Sequence, residues 1–334
     1  MIFQTERLKV RKPENIDIEM YFKLWNSSEV IQNVGFPQGL KITKEKISEQ
    51  IKKQDETEYD KTLVVVEKFS GKAIGECKLG FPNEEGISIT DIKLLPEFWG
   101  NSYGKEIKNA LCLYLFSRTY CKIVEASPNK ENSASQKMQE ICGGVKVRES
   151  VYHFPESMQD YTEDVHSVIY HIHKKKWVKM NLLIKKVETG EERSRICKKV
   201  ILSLPGWFGL EDANKEYIEN VADTDFYAAY MFDNVVGFFS VISHFPQTSE
   251  IYVCGILSEY HRLGIGRKLL KVIEKDLKKK GVNFLTVKTL SASHPDKGYA
   301  KTRKFYEAVG FVPLEEFKTL WGETNPCLFM VKEL

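Results

Sequence analysis

The stretch that decides the fold is Ile256-Leu257-Ser258-Glu259-Tyr260-His261-Arg262-Leu263-Gly264-Ile265-Gly266-Arg267. The residues leading into it, 250–257, are rich in Ile, Tyr, Val and Cys and predict a strand. Those leaving it, 264–280, carry apolar residues at helical spacing and predict a long basic helix that Gly281 stops. Glycines in such a turn let the backbone approach a ligand and open a helix without a side-chain clash. The free N–H groups and positive end of the helix make a site for a phosphate or pyrophosphate. No Gly-Lys-Ser/Thr follows, so this is no Walker loop, and the third glycine of a dinucleotide fingerprint is missing. Gly-x-Gly alone also fits a plain strand-to-helix turn.

Working outward, the second half reads as strands at 181–187, 225–232, 235–243, 250–257, 283–290, 311–319 and 327–333. Helices are expected at 191–204, 211–222, 264–280 and 302–309, with Asp233-Asn234 as a hairpin turn. The first half repeats the order, with strands at 2–10, 60–67, 73–80, 86–94, 121–127, 144–154 and 163–173 and helices at 17–26, 43–55, 101–119 and 132–141. Hairpins within an α/β order favour a mixed sheet over a purely parallel one.

The repetition extends to residues. Leu95 to Gly100 aligns with Leu257 to Arg262 at an offset of 162, and Asn132, Gln139 and Gly143 align with Tyr299, Tyr306 and Gly310 at 167. The five extra residues fall around Ser293–Lys297, a loop-sized insertion between two copies. The charged run Lys174-Lys175-Lys176 marks the boundary, giving domains 1–177 and 178–334.

Composition is consistent with this. A chain of 334 residues is about twice the ~150 of one domain. It is 42% hydrophobic with a net charge of +3, which excludes disorder and gives no field that argues for nucleic acid. The opening residues carry Glu6 and Arg7 where a secretory leader needs an apolar core, and no apolar run reaches the roughly 20 residues of a membrane helix. Seven scattered cysteines with no Cys-x-x-Cys pair read as thiols of a reducing compartment. A cytoplasmic protein without metal, membrane or nucleic-acid partner is the expectation.

The turn at 261–266 resembles the acyl-CoA pyrophosphate loop of the GNAT N-acetyltransferases, usually Gln/Arg-x-x-Gly-x-Gly/Ala. Phe305-Tyr306-Glu307-Ala308-Val309-Gly310-Phe311 resembles the family's Phe-Tyr-x-x-x-Gly-Phe segment, in the right order and at the right distance. In the first half, 94–106, Asn132-Ser133-Ala134-Ser135 and the opening Thr5-Glu6-Arg7-Leu8 are similar to the ribosomal-protein N-acetyltransferase branch. The resemblance implies two tandem GNAT-like domains of mixed α/β class, packed as a pseudo-dimer within a monomer, and acetyl-CoA as co-substrate. It also implies transfer of acetyl to a primary amine of a small molecule or peptide. Both domains active, or an acyl-CoA sensor without turnover, are the alternatives.

By the same resemblance, the cofactor-binding residues are Ile256, Leu257, Ser258, His261, Arg262, Leu263, Gly264, Ile265, Gly266 and Arg267, joined by Tyr299 and Thr302 on the following helix. Tyr306 is the expected general acid, since a neutral phenol can protonate a leaving thiolate. Glu250, at the start of the strand, is the candidate base that relieves the amine of its proton. His261 replaces the usual Gln or Arg, Tyr299 and Thr302 replace a frequent Asn and Ala, and Ser102, Trp99 and Gln139 degrade the first copy. A Cβ at Ser102 is expected to crowd a pyrophosphate, so the chemistry is assigned mainly to the second copy. His171 and His173 share a strand face without a third ligand, which reads as a surface strand. His294 sits beside Pro295 near a substrate mouth. Trp207-Phe208-Gly209-Leu210 flanks the acceptor groove in this fold, with Glu211 and Asp212 behind it.

Overall fold

A computed structural model describes residues 1–53 and 56–334. The chain divides into two compact units, Met1–Met180 and Asn181–Leu334.

Unit 1 contains β1 (Phe3–Gln4), β2 (Leu8–Arg11), α1 (Ile18–Asn26), α2 (Ser28–Ile31), α3 (Lys44–Lys52), β3 (Thr62–Glu67), β4 (Ala73–Leu79), β5 (Ile87–Leu94), α4 (Tyr103–Arg118), β6 (Ile123–Ala126), α5 (Ser133–Ile141), β7 (Val145–Tyr152) and β8 (Val165–His173). α6 (Lys174–Asn181) then runs on from β8 into the second unit. Unit 2 contains β9 (Leu182–Lys186), α7 (Gly190–Leu202), α8 (Glu211–Asn220), β10 (Asp225–Met231), β11 (Asn234–Phe245), β12 (Thr248–Ile256), α9 (Ile265–Lys279), β13 (Phe284–Leu290), α10 (Lys297–Ala308), β14 (Val312–Phe317) and β15 (Cys327–Glu333). Each unit is one mixed sheet, ordered β1-β2-β3-β4-β5-β6-β8-β7 and β14-β15-β13-β12-β11-β10-β9.

One strand pair in each sheet is parallel, and it is short. β5 pairs with β6 only over Ile87–Ile89, though β5 runs on to Leu94. β12 pairs with β13 only over Thr248–Ile251 and runs on to Ile256. Beyond those pairs the strands part, so each sheet opens in the middle, on the side where its loop and long helix begin.

Amphipathic helices close the sheets. Leu269, Leu270, Ile273 and Leu277 of α9 are buried at helical spacing, each worth about 1.5–3 kcal/mol. On the opposite face, Val200 and Ile201 of α7 pack on Phe226, Phe238 and Val253, with the two phenylalanine rings stacked at 4.8 Å. Tyr21, Leu24 and Ile47 cover β3 in the same way in unit 1.

Several elements differ from the sequence reading for local reasons. The strand expected over 2–10 breaks at Thr5, whose hydroxyl accepts the Leu8 N–H at 3.0 Å. The hairpin turn is Phe232-Asp233, both at positive φ, with Met231 and Asn234 paired across it; Asn234 donates to the Phe232 carbonyl at 3.1 Å. α10 starts at Lys297, not at 302, because the Asp296 carboxylate accepts the Tyr299 N–H at 2.7 Å and caps the helix. The lysine run 174–176 opens α6 instead of breaking the chain, so the units divide after Met180. Residues 54–55 of the helix expected over 43–55 lie outside the described residues. Among the described residues no helix is long and apolar enough to cross a membrane.

Candidate active site

The loop after β12 is built around two left-handed residues, Arg262 (φ 61°) and Gly264 (φ 75°). The first bond of α9 runs from the Lys268 N–H to the Gly264 carbonyl at 3.1 Å. The N–H groups from Gly264 to Arg267 precede that bond and are the four orphan donors of the helix start. With the positive end of the helix dipole they form a cradle for an anion.

The two glycines of the motif do different work. A Cβ at Gly264 meets nothing within 4 Å, so this glycine is there for its backbone conformation and leaves the space over the loop open. A Cβ at Gly266 lies 3.0 Å and 3.1 Å from the Phe305 ring and 3.3 Å from Ile256 Cδ1. That glycine lets α9 and α10 pack, a role the sequence reading had given to ligand approach.

His261 pins the loop. Its Nε2–H donates to the carbonyl of Ile256, the last residue of β12, at 2.7 Å, and its ring meets Trp207 edge-on at 6.0 Å. The position therefore uses a side-chain N–H donor. Arg267 reaches from α9 to the Ala308 carbonyl at the end of α10, at 2.9 Å. Leu257 is buried and donates to Val236, while Ser258 opens a single helical turn whose carbonyl accepts the His261 N–H.

Tyr306 is the buried residue of α10, and its hydroxyl lies 3.4 Å from Cys254 Sγ on β12. The rings of Phe305 and Phe311 flank it at 5.5 Å. Burial holds the phenol well above its ordinary pKa, with the Cys254 sulfur adding to the effect, so it stays protonated. The same burial pushes the Cys254 thiol up to about 11. Tyr299 and Thr302 face a different task from the one expected of them. The Tyr299 hydroxyl donates to the Trp207 carbonyl at 3.0 Å, and the Trp207 indole N–H donates to Thr302 Oγ1 at 3.2 Å. Their polar atoms hold the Trp207 segment against α10.

Glu250 is buried, and its Oε2 accepts from His244 Nε2 at 2.8 Å and from Lys288 Nζ at 2.6 Å. The sequence reading missed His244. The signal was there, a His and a Glu six residues apart across the Pro246-Gln247 turn of a hairpin, which brings them together on adjacent strands. His294 accepts the Asp296 N–H at 3.2 Å and so belongs to the loop that caps α10. Glu211 and Asp212 occupy the first turn of α8.

Unit 1 rebuilds the loop with other residues. Gly100 (φ 77°) and Ser102 (φ 61°) take the left-handed conformations of Arg262 and Gly264. Gly104 packs α4 on α5, since a Cβ there lies 2.9 Å from Met138 Sδ. Trp99 Nε1–H donates to the Leu94 carbonyl at 2.8 Å, as His261 does to Ile256. Gln139 is the buried residue of α5, as Tyr306 is of α10, and its Oε1 has no hydrogen-bond partner among the described residues.

Both halves match a family model described as an acetyltransferase (GNAT) domain, over residues 7–145 and 222–313. No curated protein matches the chain. Among solved structures, it is similar to a GNAT-family acetyltransferase from Bacillus anthracis, at 20% identity and TM-score 0.44 over 51% of this chain and 96% of that one. A spermidine N-acetyltransferase from Vibrio cholerae, in complex with CoA and spermine, aligns at 19% identity and TM-score 0.44 over 52% of this chain and 99% of that one. The ribosomal-protein-S18-alanine N-acetyltransferase from Escherichia coli aligns at 16% identity and TM-score 0.37 over 46% and 93%. With a GNAT match in each half and an opened mixed sheet behind each loop, the chain belongs to the GNAT acetyltransferase family and is a tandem of two such domains.

Proposed function

We propose that unit 2 transfers acetyl from acetyl-CoA to a primary amine of a small molecule or peptide, with Tyr306 as the general acid. The residues present fit the co-substrate. The orphan N–H groups from Gly264 to Arg267 suit a pyrophosphate, the space over Gly264 is open, and β12 parts from β13 beyond Ile251. Acetyl-CoA supplies an activated thioester, and the protein's part is to hold it, accept the amine's proton and protonate the departing sulfur.

The observation that carries the reading is Tyr306. Its hydroxyl already lies at hydrogen-bonding distance from a sulfur, inside an apolar cage on the strand that leads to the loop. If the Cys254 S–H donates to the phenolic oxygen, the phenol's own proton is left for a second sulfur. Glu250, clamped by Lys288, is suited to hold His244 Nε2–H, which leaves His244 Nδ1 to take the amine's proton. The Trp207 segment, fixed by Tyr299 and Thr302, supplies an aromatic wall for the acceptor. All seven cysteines are free, which fits a reducing compartment such as the cytoplasm.

Replacing Tyr306 with Phe keeps the ring and its packing. Turnover is expected to fall by about 10²–10⁴-fold while the Kd for acetyl-CoA changes little. A variant with unimpaired turnover refutes the acid role.

A further inference from the structure

We infer that unit 1 is a second acyl-transfer centre, in which His171, held by Glu125, takes the proton of a primary amine. The reading of unit 2 places no chemistry in unit 1, so this goes beyond it.

The loop of unit 1 keeps the backbone of its counterpart. Ser102 and Gly100 share the left-handed conformations, Gly104 the helix packing, and Trp99 the pin to the strand end. The sheet of unit 1 opens at the corresponding place, since Ile89 and Glu125 are the last residues paired between β5 and β6. Thr90, the next residue of β5, receives the Lys108 ammonium of α4 at 2.7 Å. Alternation along the strand then directs Ile89, and Glu125 beside it, to the face away from α4.

At this opening the carboxylate has changed strands. β12 carries a bulge at Tyr252 that β5 lacks, so ahead of it the correspondence shifts by one residue: Ser88 matches Ser249, and Ile89 stands at the register of Glu250. Ile89 is exposed and apolar, and the carboxylate sits opposite it on β6 as Glu125. Glu125 Oε2 accepts His171 Nε2–H at 2.8 Å, and both side chains are about 15% exposed (14% and 15%). Arg148 lies 4.0 Å from the same oxygen. Among the described residues, nothing binds His171 Nδ1. In unit 2 the same group pair, Glu250 with His244 at 2.8 Å, is supplied by β12 and β11. Different strands thus deliver a carboxylate-held imidazole to the mouth of each opening. Simple copying of one ancestral position does not produce that.

The amine nitrogen attacks the acetyl carbon of acetyl-CoA, a C–N bond forms, and the C–S bond breaks. His171 Nδ1 takes the proton that the nitrogen sheds, and Glu125 steadies the resulting imidazolium. Gln139 stands where unit 2 has Tyr306. Its amide can donate a hydrogen bond to the thiolate but not a proton, so the thiolate leaves as such and is protonated by water.

The test uses the full chain, with CoA titrated by calorimetry and acetylated product measured on alanine amide and 1,4-diaminobutane. The wild-type chain is expected to bind two equivalents of CoA. Gly264→Val is expected to retain one equivalent and a residual amine-dependent turnover. Tyr306→Phe provides a second background with the loop of unit 2 intact. In either background, His171→Ala is expected to cut the residual turnover at least 100-fold at unchanged CoA stoichiometry, with partial rescue by added imidazole. Glu125→Gln is expected to lower kcat more than it raises KM, and Glu125→Asp to recover part of the loss. One equivalent in the wild type that vanishes in Gly264→Val overturns this inference alone. So does a residual turnover that is zero or indifferent to His171→Ala. A chain that binds no CoA overturns the reading of unit 2 as well.

Discussion

Gly264→Ala and Gly266→Ala are expected to fail in different ways, because the structure gives the two glycines different reasons to exist. At Gly264 the added methyl meets nothing within 4 Å, so the only folding cost is a left-handed alanine, about 1–2 kcal/mol. Loss of chain freedom in the unfolded state returns about 0.4–1 kcal/mol of that. The net effect on stability is therefore a loss of about 0–1.6 kcal/mol. The methyl does, however, enter the open space beside the orphan N–H groups, where a pyrophosphate needs close approach. A tenfold loss of acetyl-CoA affinity, about 1.4 kcal/mol, is expected as the minimum. At Gly266 the methyl lies 3.0–3.3 Å from Phe305 and Ile256, inside ordinary contact distance, with a ring on one side and a strand on the other. Overpacking of this kind costs about 1–3 kcal/mol. For a unit of this size each kcal/mol lowers the thermal transition by about 2–4 °C. Differential scanning calorimetry with and without acetyl-CoA, together with isothermal titration, separates the two. If Gly264→Ala loses more stability than Gly266→Ala and binds acetyl-CoA as the wild type does, the assignment of roles is wrong.

Three further outcomes follow from single contacts. Tyr306 is held protonated, so above the ordinary phenol pKa of ~10 the unfolded chain loses a proton that the folded unit keeps. Folding stability then falls with rising pH, approaching about 1.4 kcal/mol per unit well above pH 10, and denaturant melts between pH 10 and 11 should show Tyr306→Phe losing about 1 kcal/mol less than the wild type. An equal loss means the phenol ionises freely in the fold. Ser102→Gly relieves a left-handed serine and is expected to stabilise unit 1 by up to about 1.6 kcal/mol net, read as a higher thermal transition; a lower one shows that Ser102 makes a contact that matters. His261→Ala removes the pin on the Ile256 carbonyl, worth about 0.5–1.5 kcal/mol, and should weaken acetyl-CoA binding, whereas His261→Gln keeps a donor and should restore most of it. Titrations in which the two variants bind alike refute the pinning role.

The tandem arrangement and the main elements were legible because each rests on a local signal. The hydrophobic period of α9, the strand run of β12 and the Gly-x-Gly between them all lie within one window of sequence. What escaped was set by contacts across the fold. That Gly266 faces Phe305 depends on how α10 crosses α9, and nothing within the motif reports it. Thr302 opens the expected helix and Tyr299 lies one turn ahead of it, and their partner is Trp207, about 90 residues earlier in the chain. Phe232 at positive φ went unread because an aromatic residue rarely signals a two-residue turn; the neighbouring Asp233-Asn234 carries the usual signature and drew the turn one residue too far. His244 was passed over because the strands were expected to end at 243 and to resume at 250, which left it in the connection, whereas the strands run to Phe245 and from Thr248 and set it beside Glu250.

The two loops also separate what the motif specifies from what the backbone needs. At offset 162, Arg262 and Gly264 become Gly100 and Ser102, yet all four residues hold φ between 61° and 77°. Glycine is thus no requirement of either position; one copy places it at the first left-handed site, the other at the second. His261 becomes Trp99, and the only property the two share at that point is a ring N–H that reaches the carbonyl at the strand end, at 2.7 Å and 2.8 Å. Gly266 becomes Gly104, and here the residue does not change, because a neighbouring helix stands 2.9–3.0 Å from where a Cβ would lie. The backbone cradle is therefore fixed by two left-handed residues, one side-chain pin and one packing glycine. A sequence pattern that demands glycine at the second left-handed site discards unit 1, which has Ser102 there, whereas the physical requirements retain it. Any difference in chemistry between the units must then arise above the cradle, where unit 2 has Tyr306 and Glu250 and unit 1 has Gln139 and Ile89 at the matching positions.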